Sequence, residues 1–250
     1  MSGHSKWANI KHRKGKQDAK RGKIFTKIAK EITIAARESG GDPDANPRLR
    51  LAMLNARAVN MPSDNINRAV KKGTGEIEGV NYEEAMYEGY GPQGVAVIVE
   101  TVTDNKKRTV SELRAMFSRL GGNLGEPNSV AWNFDRKGVI TINTNGKSED
   151  FIMEQVFESG ADDMEYSEET TRIITLLENF GVCNKYFQEK NFDISESKLE
   201  FIPQNTVKID NVNDAKKVIK FIDALEDHDD VQNVFANFDI DDSIMEQMEE

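Results

Sequence analysis

The chain has 250 residues, 38% of them hydrophobic, and 33 Lys and Arg against 43 Asp and Glu leave a net charge of −10, which suits a soluble chain with more than one small core. Its single cysteine, Cys183, excludes an internal disulfide and a thiol metal site, and reads as a small core residue in a reducing compartment. No window approaches the roughly 18 apolar residues of a membrane span, and the basic start lacks the apolar stretch of a secretory signal, so a cytoplasmic protein with no membrane partner is expected.

The first element is a basic arm. "SGHSKWANIKHRKGKQDAK" holds Trp7 and Ile10 among cations, shows no apolar period, and reads as an extended or partly ordered segment over residues 1–20. From Arg21 to Ser39 the spacing of Ile24, Ile28, Ile32 and Ala35 predicts a helix, with Lys20, Lys23, Lys27 and Lys30 on a separate stripe and "SGG" as its stop. "ANPRLRLAMLNARAVNMP" predicts a second helix with Asn46 as N-cap, Pro47 at its first position and Leu51, Leu54 and Ala58 on the packed side. "PSDNINRAVKKG" predicts a third, with Asp64 in its first turn, Lys71 and Lys72 in its last and Gly73 as its stop. Residues 21–75 thus read as a small helical domain, and "GTGEIEG" as the linker out of it.

The period then becomes two. "YEEAMYEGYGPQGVAVIVETVTDN" predicts two strands around a Gly/Pro turn, and Asn105 opens a helix with Val110, Leu113, Phe117 and Leu120 on one face. In "SVAWNFD" the alternation of Val130, Trp132 and Phe134 predicts a further strand. "KGVITINT", "SEDFIMEQVFESG", "ADDMEYS", "TRIITLLE", "GVCNKYFQEKN" and "KLEFIPQNTVKI" follow as β-α-β-β-α-β, the split pattern of a ferredoxin-like sandwich over residues 136–204. "NDAKKVIKFIDALEDHD" as helix and "DVQNVFANFDI" as strand complete the unit begun at Tyr82, making a discontinuous α/β domain of residues 80–135 and 205–240. The tail "DDSIMEQMEE" reads as frayed.

The charge is unevenly spread: residues 1–75 carry 17 Lys and Arg against 6 Asp and Glu, a net of +11, so the remainder carries −21. Such asymmetry points to a basic module for a polyanion and an acidic body that the same polyanion repels. "GYGPQG" fits G-x-G-x-x-G, but the strand "VAVIVETV" follows it where a phosphate loop needs a helix, so it reads as a hairpin turn. "EDHDD" around His228 reads as a solvated turn, and His4 and His12 stand among cations that oppose a divalent ion, so no metal is expected. No nucleophile elbow or Walker lysine loop is present, and neither a cofactor nor enzymatic activity is expected. The functional weight falls on nucleic-acid binding by Lys6, Trp7, Lys11, His12, Arg13, Lys14, Lys16, Lys20, Arg21, Lys23 and Lys27, cations with one stacking ring, supported by Arg48, Arg50, Arg57, Arg68, Lys71 and Lys72.

Four stretches, "MSGHSKWANIKHRKGKQDAKRGKIFTKIAKEI", "NMPSDNINRAVKKG", "YEGYGPQGVAVIVE" and "LEDHDDVQNVFANFD", resemble the YebC family of bacterial transcriptional regulators, and the similarity runs through essentially the whole chain. The resemblance implies an α+β protein, a small N-terminal helical domain followed by two ferredoxin-like α/β domains, one inserted in the other. It also implies DNA-binding regulation of transcription, while mitochondrial relatives act as translational activators. The residues leave DNA and RNA open. No evident helix-turn-helix with a base-reading Asn, Gln and Arg cluster is predicted, and an irregular basic arm suits a structured RNA or the ribosome at least as well as a duplex. A protein-interaction scaffold is the third reading.

Overall fold

A computed structural model of the protein describes residues 17–249. Its chain divides into two compact units, one of Met1–Lys27, Val80–Asp135 and Phe201–Glu250, the other of Ile28–Gly79 and Arg136–Glu200.

Helix α1 (Gln17–Ser39) starts earlier than its apolar spacing predicts. Within the second unit its residues Ile32 to Ala36 are all buried, so this end is surrounded rather than merely packed on one side. Asn46, 1% exposed, explains how the chain turns. Its Oδ1 accepts from the Leu49 amide at 3.0 Å, capping α2 (Pro47–Ala58), while its Nδ2 donates to the carbonyls of Ala35 and Gly40 at 2.7 and 2.8 Å, closing the end of α1. This lock sets the phase of α2. The buried side chains are Leu49, Ala52 and Ala56, not the predicted Leu51, Leu54 and Ala58, since both stripes fit a 3.6 period and only the cap selects one.

Helix α3 (Ser63–Thr74) runs past Gly73, and its left-handed cap is Gly75, φ 80°. Gly73 has a different task from the predicted stop: a Cβ there would lie 2.4 Å from the Thr33 carbonyl and 2.6 Å from the Ala36 Cβ, so it lets α3 touch α1.

The second unit also contains the inserted sheet. Strand β4 (Phe134–Asn143), α5 (Glu149–Ser159), β5 (Asp163–Glu165), β6 (Thr170–Thr175), α6 (Phe180–Glu189) and β7 (Ile194–Pro203) give the spatial order β5-β6-β4-β7 of a ferredoxin-like sandwich. Ile140, Ile142 and Ile173 pack under Ile152, Val156, Cys183 and Phe187, so Cys183 is the core residue its composition suggests.

In the first unit, β1 (Glu83–Tyr90) and β2 (Ala96–Thr103) form the expected hairpin, followed by α4 (Lys106–Arg119), β3 (Asn123–Leu124), β8 (Val207–Ile209), α7 (Val212–Glu226), β9 (Val231–Ala236), β10 (Phe238–Ile240) and α8 (Asp242–Glu249). Its sheet order is β3-β1-β2-β9, with β8 and β10 in a separate parallel pair. "GYGPQG" forms a 3-10 turn over Pro92–Gly94 and opens no α-helix. The left-handed positions are Gln93 and Gly94, whereas Gly91 has φ −85° and is required because a Cβ would sit 2.9 Å from the Phe221 ring.

Three predicted elements change here. "SVAWNFD" is strand only at Phe134 and Asp135, which open β4: before them Ala131–Asn133 form a 3-10 turn, and the carboxylate of Glu88 takes the amides of Asn128, Val130 and Ala131 at 2.8–2.9 Å, leaving them no ladder to join. "DVQNVFANFDI" breaks at Asn237, whose side chain accepts from the Ala96 amide, and β10 pairs elsewhere. The tail is helix α8, held by Ile244 and Met245, both buried in the core with Phe221 and Phe238.

Candidate nucleic-acid interface

Of the predicted contact residues, Lys6, Trp7, Lys11, His12, Arg13, Lys14 and Lys16 lie outside the described residues, and Lys20 and Arg21 belong to the first turns of α1. Lys23 and Lys27 are placed differently from a free phosphate-binding stripe. Both ammonium groups reach the C-terminal end of α7: Lys23 donates to the Asp227 carbonyl at 3.0 Å and pairs with its carboxylate at 3.5 Å, and Lys27 donates to the Glu226 carbonyl at 2.9 Å. The last carbonyls of a helix lack amide partners and carry partial negative charge, so two lysines satisfy both needs at once. They tie the start of α1 to the end of α7 within the first unit. Lys30 is buried.

The supporting cations divide as well. Arg48 is held by Glu31 and Glu38 at 2.8 and 2.7 Å, and Arg50 donates to the carbonyls of Pro43 and Asp44. Arg57, Arg68, Lys71 and Lys72 are exposed. On α3 the exposed residues include Asn65, Asn67 and Arg68 near its start and Lys71 and Lys72 near its end, opposite the buried Ile66, Ala69 and Gly73. The sequence predicts no helix with a base-reading cluster of Asn, Gln and Arg; α3 displays Asn and Arg on one exposed face, without Gln. Their grouping was present in "NINRAVKK", but only the burial of Ile66 and Ala69 shows which way the polar face points.

The acidic turn around His228 is not solvated throughout. Asp230 is 5% exposed, and its Oδ2 lies 2.8 Å from Arg108, 3.1 Å from the Thr103 hydroxyl and 2.8 Å from that of Thr109. Hydrogen bonds to Asp230 and then Asp104 hold the Arg108 guanidinium above its ordinary range. The His228 Nδ1 accepts from the Asp230 amide at 3.1 Å, which leaves Nε2 to donate to Glu112 at 2.9 Å. Among the described residues, Glu112, His228 and Asp230 are the trio whose ligand atoms approach within 4.8 Å of one another. The chemistry of the set fits a structural hub better than a cation site: Arg108 already neutralises Asp230, and one imidazole nitrogen is spent on the backbone. It joins the end of β2, the start of α4 and the start of β9.

No helix among the described residues is long and apolar enough to cross a membrane.

Comparison with known proteins bears on the whole chain. Residues 5–76 match the family model described as the TACO1/YebC protein N-terminal domain, and residues 82–238 match that of the TACO1/YebC second and third domain. A protein of Syntrophobacter fumaroxidans is 52% identical over 248 residues, covering 99% of this chain and 100% of its own, and one of Thermotoga maritima is 52% identical over 249 residues, covering 99% and 98%. Both carry the name "Probable transcriptional regulatory protein". Among solved structures, the crystal structure of a conserved hypothetical protein of Aquifex aeolicus has a TM-score of 0.85 at 44% identity, over 90% of this chain and 93% of that one.

Proposed function

The chain belongs to the TACO1/YebC family, and from that premise we propose that it is a nucleic-acid-binding regulator of gene expression that contacts DNA through the cations of its first 75 residues. The observation that carries this reading is the polarity of α3, where Asn65, Asn67 and Arg68 suit base edges and Lys71 and Lys72 suit phosphates, on a segment with net charge +11 beside a remainder of −21. Lys6, Trp7, Lys11, His12, Arg13, Lys14, Lys16, Lys20 and Arg21 extend that contact, while Lys23 and Lys27 hold the start of α1 to the end of α7. The names of the bacterial relatives support a transcriptional role. The acidic remainder restricts orientation and partners by repulsion.

A structured RNA or the ribosome is the second reading, favoured by the arm, whose sequence is basic, contains Gly15 and Gly22, and lacks an apolar period. Salt titration of binding to duplex DNA and to a folded RNA tests both. With about seven phosphates neutralised, log K against log[salt] falls with a slope near −6 for the duplex. Replacing Lys11, Arg13, Lys14 and Lys16 by Ala should flatten it by about 3–4, and replacing Arg68, Lys71 and Lys72 by about 2–3. Crosslinking in cells followed by sequencing then separates promoter DNA from ribosomal RNA. Salt-independent or absent binding to both polymers overturns the reading.

A further inference from the structure

We propose that Trp132 and Tyr90 form a stacking platform for an unpaired nucleobase, a second contact of the same interaction carried by the first unit; the inference rests on the nucleic-acid reading above. Trp132 is 68% exposed, although its neighbours Val130, Asn133 and Phe134 are all buried. The segment therefore projects one large ring outward between the half-buried Ala131 and the buried Asn133.

The loop that presents it is over-determined. Glu88, 3% exposed, spends its carboxylate on the amides of Asn128, Val130 and Ala131. Asn133 is clasped by Asn205, whose backbone and side-chain amides lie 3.2 and 3.1 Å from its Oδ1 and whose carbonyl accepts from its Nδ2 at 3.0 Å. The rings themselves are oriented by a shared acceptor: Trp132 Nε1 donates to the Ser129 carbonyl at 3.1 Å, and the Tyr90 hydroxyl donates to the same oxygen at 3.2 Å. The polar edge of each ring is thus engaged, while Trp132 stays 68% and Tyr90 40% exposed.

The chemistry of the occupant follows from this geometry. An indole fixed in place loses little freedom when a ligand covers it, so stacking is favourable there. Around the rings, Asn123, Glu126, Asn128 and Asp135 are exposed and polar, so the continuous apolar area that a protein helix would need is lacking. A planar heteroaromatic ring covers an isolated indole face and leaves its own polar edges in water. Every base has such a face, so the platform is tolerant of sequence. Acidic Glu126 makes it a poor place for a phosphate, which assigns the electrostatics to the cations of the first 75 residues.

The test uses the full chain, whose two tryptophans are Trp7 and Trp132. In a Trp7→Phe protein, titration with a single-stranded oligouridylate of about 12 nucleotides should quench Trp132 fluorescence saturably. Trp132→Ala should weaken binding of that oligonucleotide roughly 5- to 150-fold with the salt slope unchanged, because stacking displaces no counterions, and Trp132→Phe should restore most of the loss. Should Trp132→Ala fail to fold, the quenching in the Trp7→Phe protein still decides. Unquenched fluorescence at saturating oligonucleotide, or equal affinity in the folded Ala variant, overturns the platform while leaving the basic contact standing. Absence of binding by the unaltered chain to single-stranded and duplex polymers removes both.

Discussion

The two four-stranded sheets share one spatial plan and reach it by different routes. In the inserted sheet the chain order β4-α5-β5-β6-α6-β7 yields β5-β6-β4-β7. In the other, β3, β2 and β9 hold the places of β5, β4 and β7, but the place of β6 is filled by β1, which precedes β2 as its hairpin partner. A strand's place in a sheet is set by the apolar faces it can cover, and the chain can enter that arrangement at more than one point.

The two also bury opposite charges. The first unit buries anions, Glu88 against three backbone amides and Asp230 against two hydroxyls and a half-exposed arginine. The inserted sheet buries a cation. Arg172 of β6 lies between Glu165 of β5 and Glu200 of β7, with Lys198 bridging Glu196 and Glu200. Burial pulls both cations down, yet the carboxylates outweigh it and hold Arg172 and Lys198 above their ordinary values. Backbone amides and hydroxyls tolerate loss of a buried charge better than carboxylates tolerate loss of their cation, so the two regions should respond differently to neutral substitution.

The largest effect is expected at Arg172→Met, which removes the cation between the half-buried Glu165 and Glu200 and leaves Glu200 with Lys198 alone, a cost of about 3 kcal/mol in chemical denaturation. Adding Glu165→Leu and Glu200→Leu should recover most of it. A triple variant no more stable than the single one would show that the ions also hold geometry that apolar groups cannot.

Asp230→Asn should cost less, about 1–3 kcal/mol, because an amide oxygen can still accept from a threonine while Arg108 turns to Asp104. A loss as large as that of Arg172→Met would erase the contrast between the two regions.

The smallest effect is a pH dependence at Tyr186 of α6. Tyr186, whose hydroxyl lies 2.6 Å from Glu158, is pushed up to about 12, first by burial and then by its bond to that carboxylate. The fold thus favours the protonated phenol. That contribution is complete below pH 10 and is lost as pH rises from 10 to 12. Melting temperature in this window should fall less steeply for Tyr186→Phe than for the unaltered chain, and parallel curves would contradict the assignment.

Much of this molecule was legible in its residue order. Period-two and period-3.6 runs located most strands and helices, Asn46, Pro47 and Asn105 marked helix starts, and the following strand identified "GYGPQG" as a turn. These signals are local, arising from side-chain spacing and from backbone groups left unpaired at element ends. What tertiary structure decided were the long-range partners of polar groups. The sequence of "SVAWNFD" cannot reveal that Glu88, some 40 residues earlier, removes the Val130 and Ala131 amides from any ladder. Nor can the lysine spacing of α1 show that Lys23 and Lys27 meet the end of α7, or the acids of "EDHDD" that Asp230 alone is buried on two threonines. A hydrogen-bonding group declares its need in the sequence, but which donor satisfies it depends on what folding brings within 3 Å.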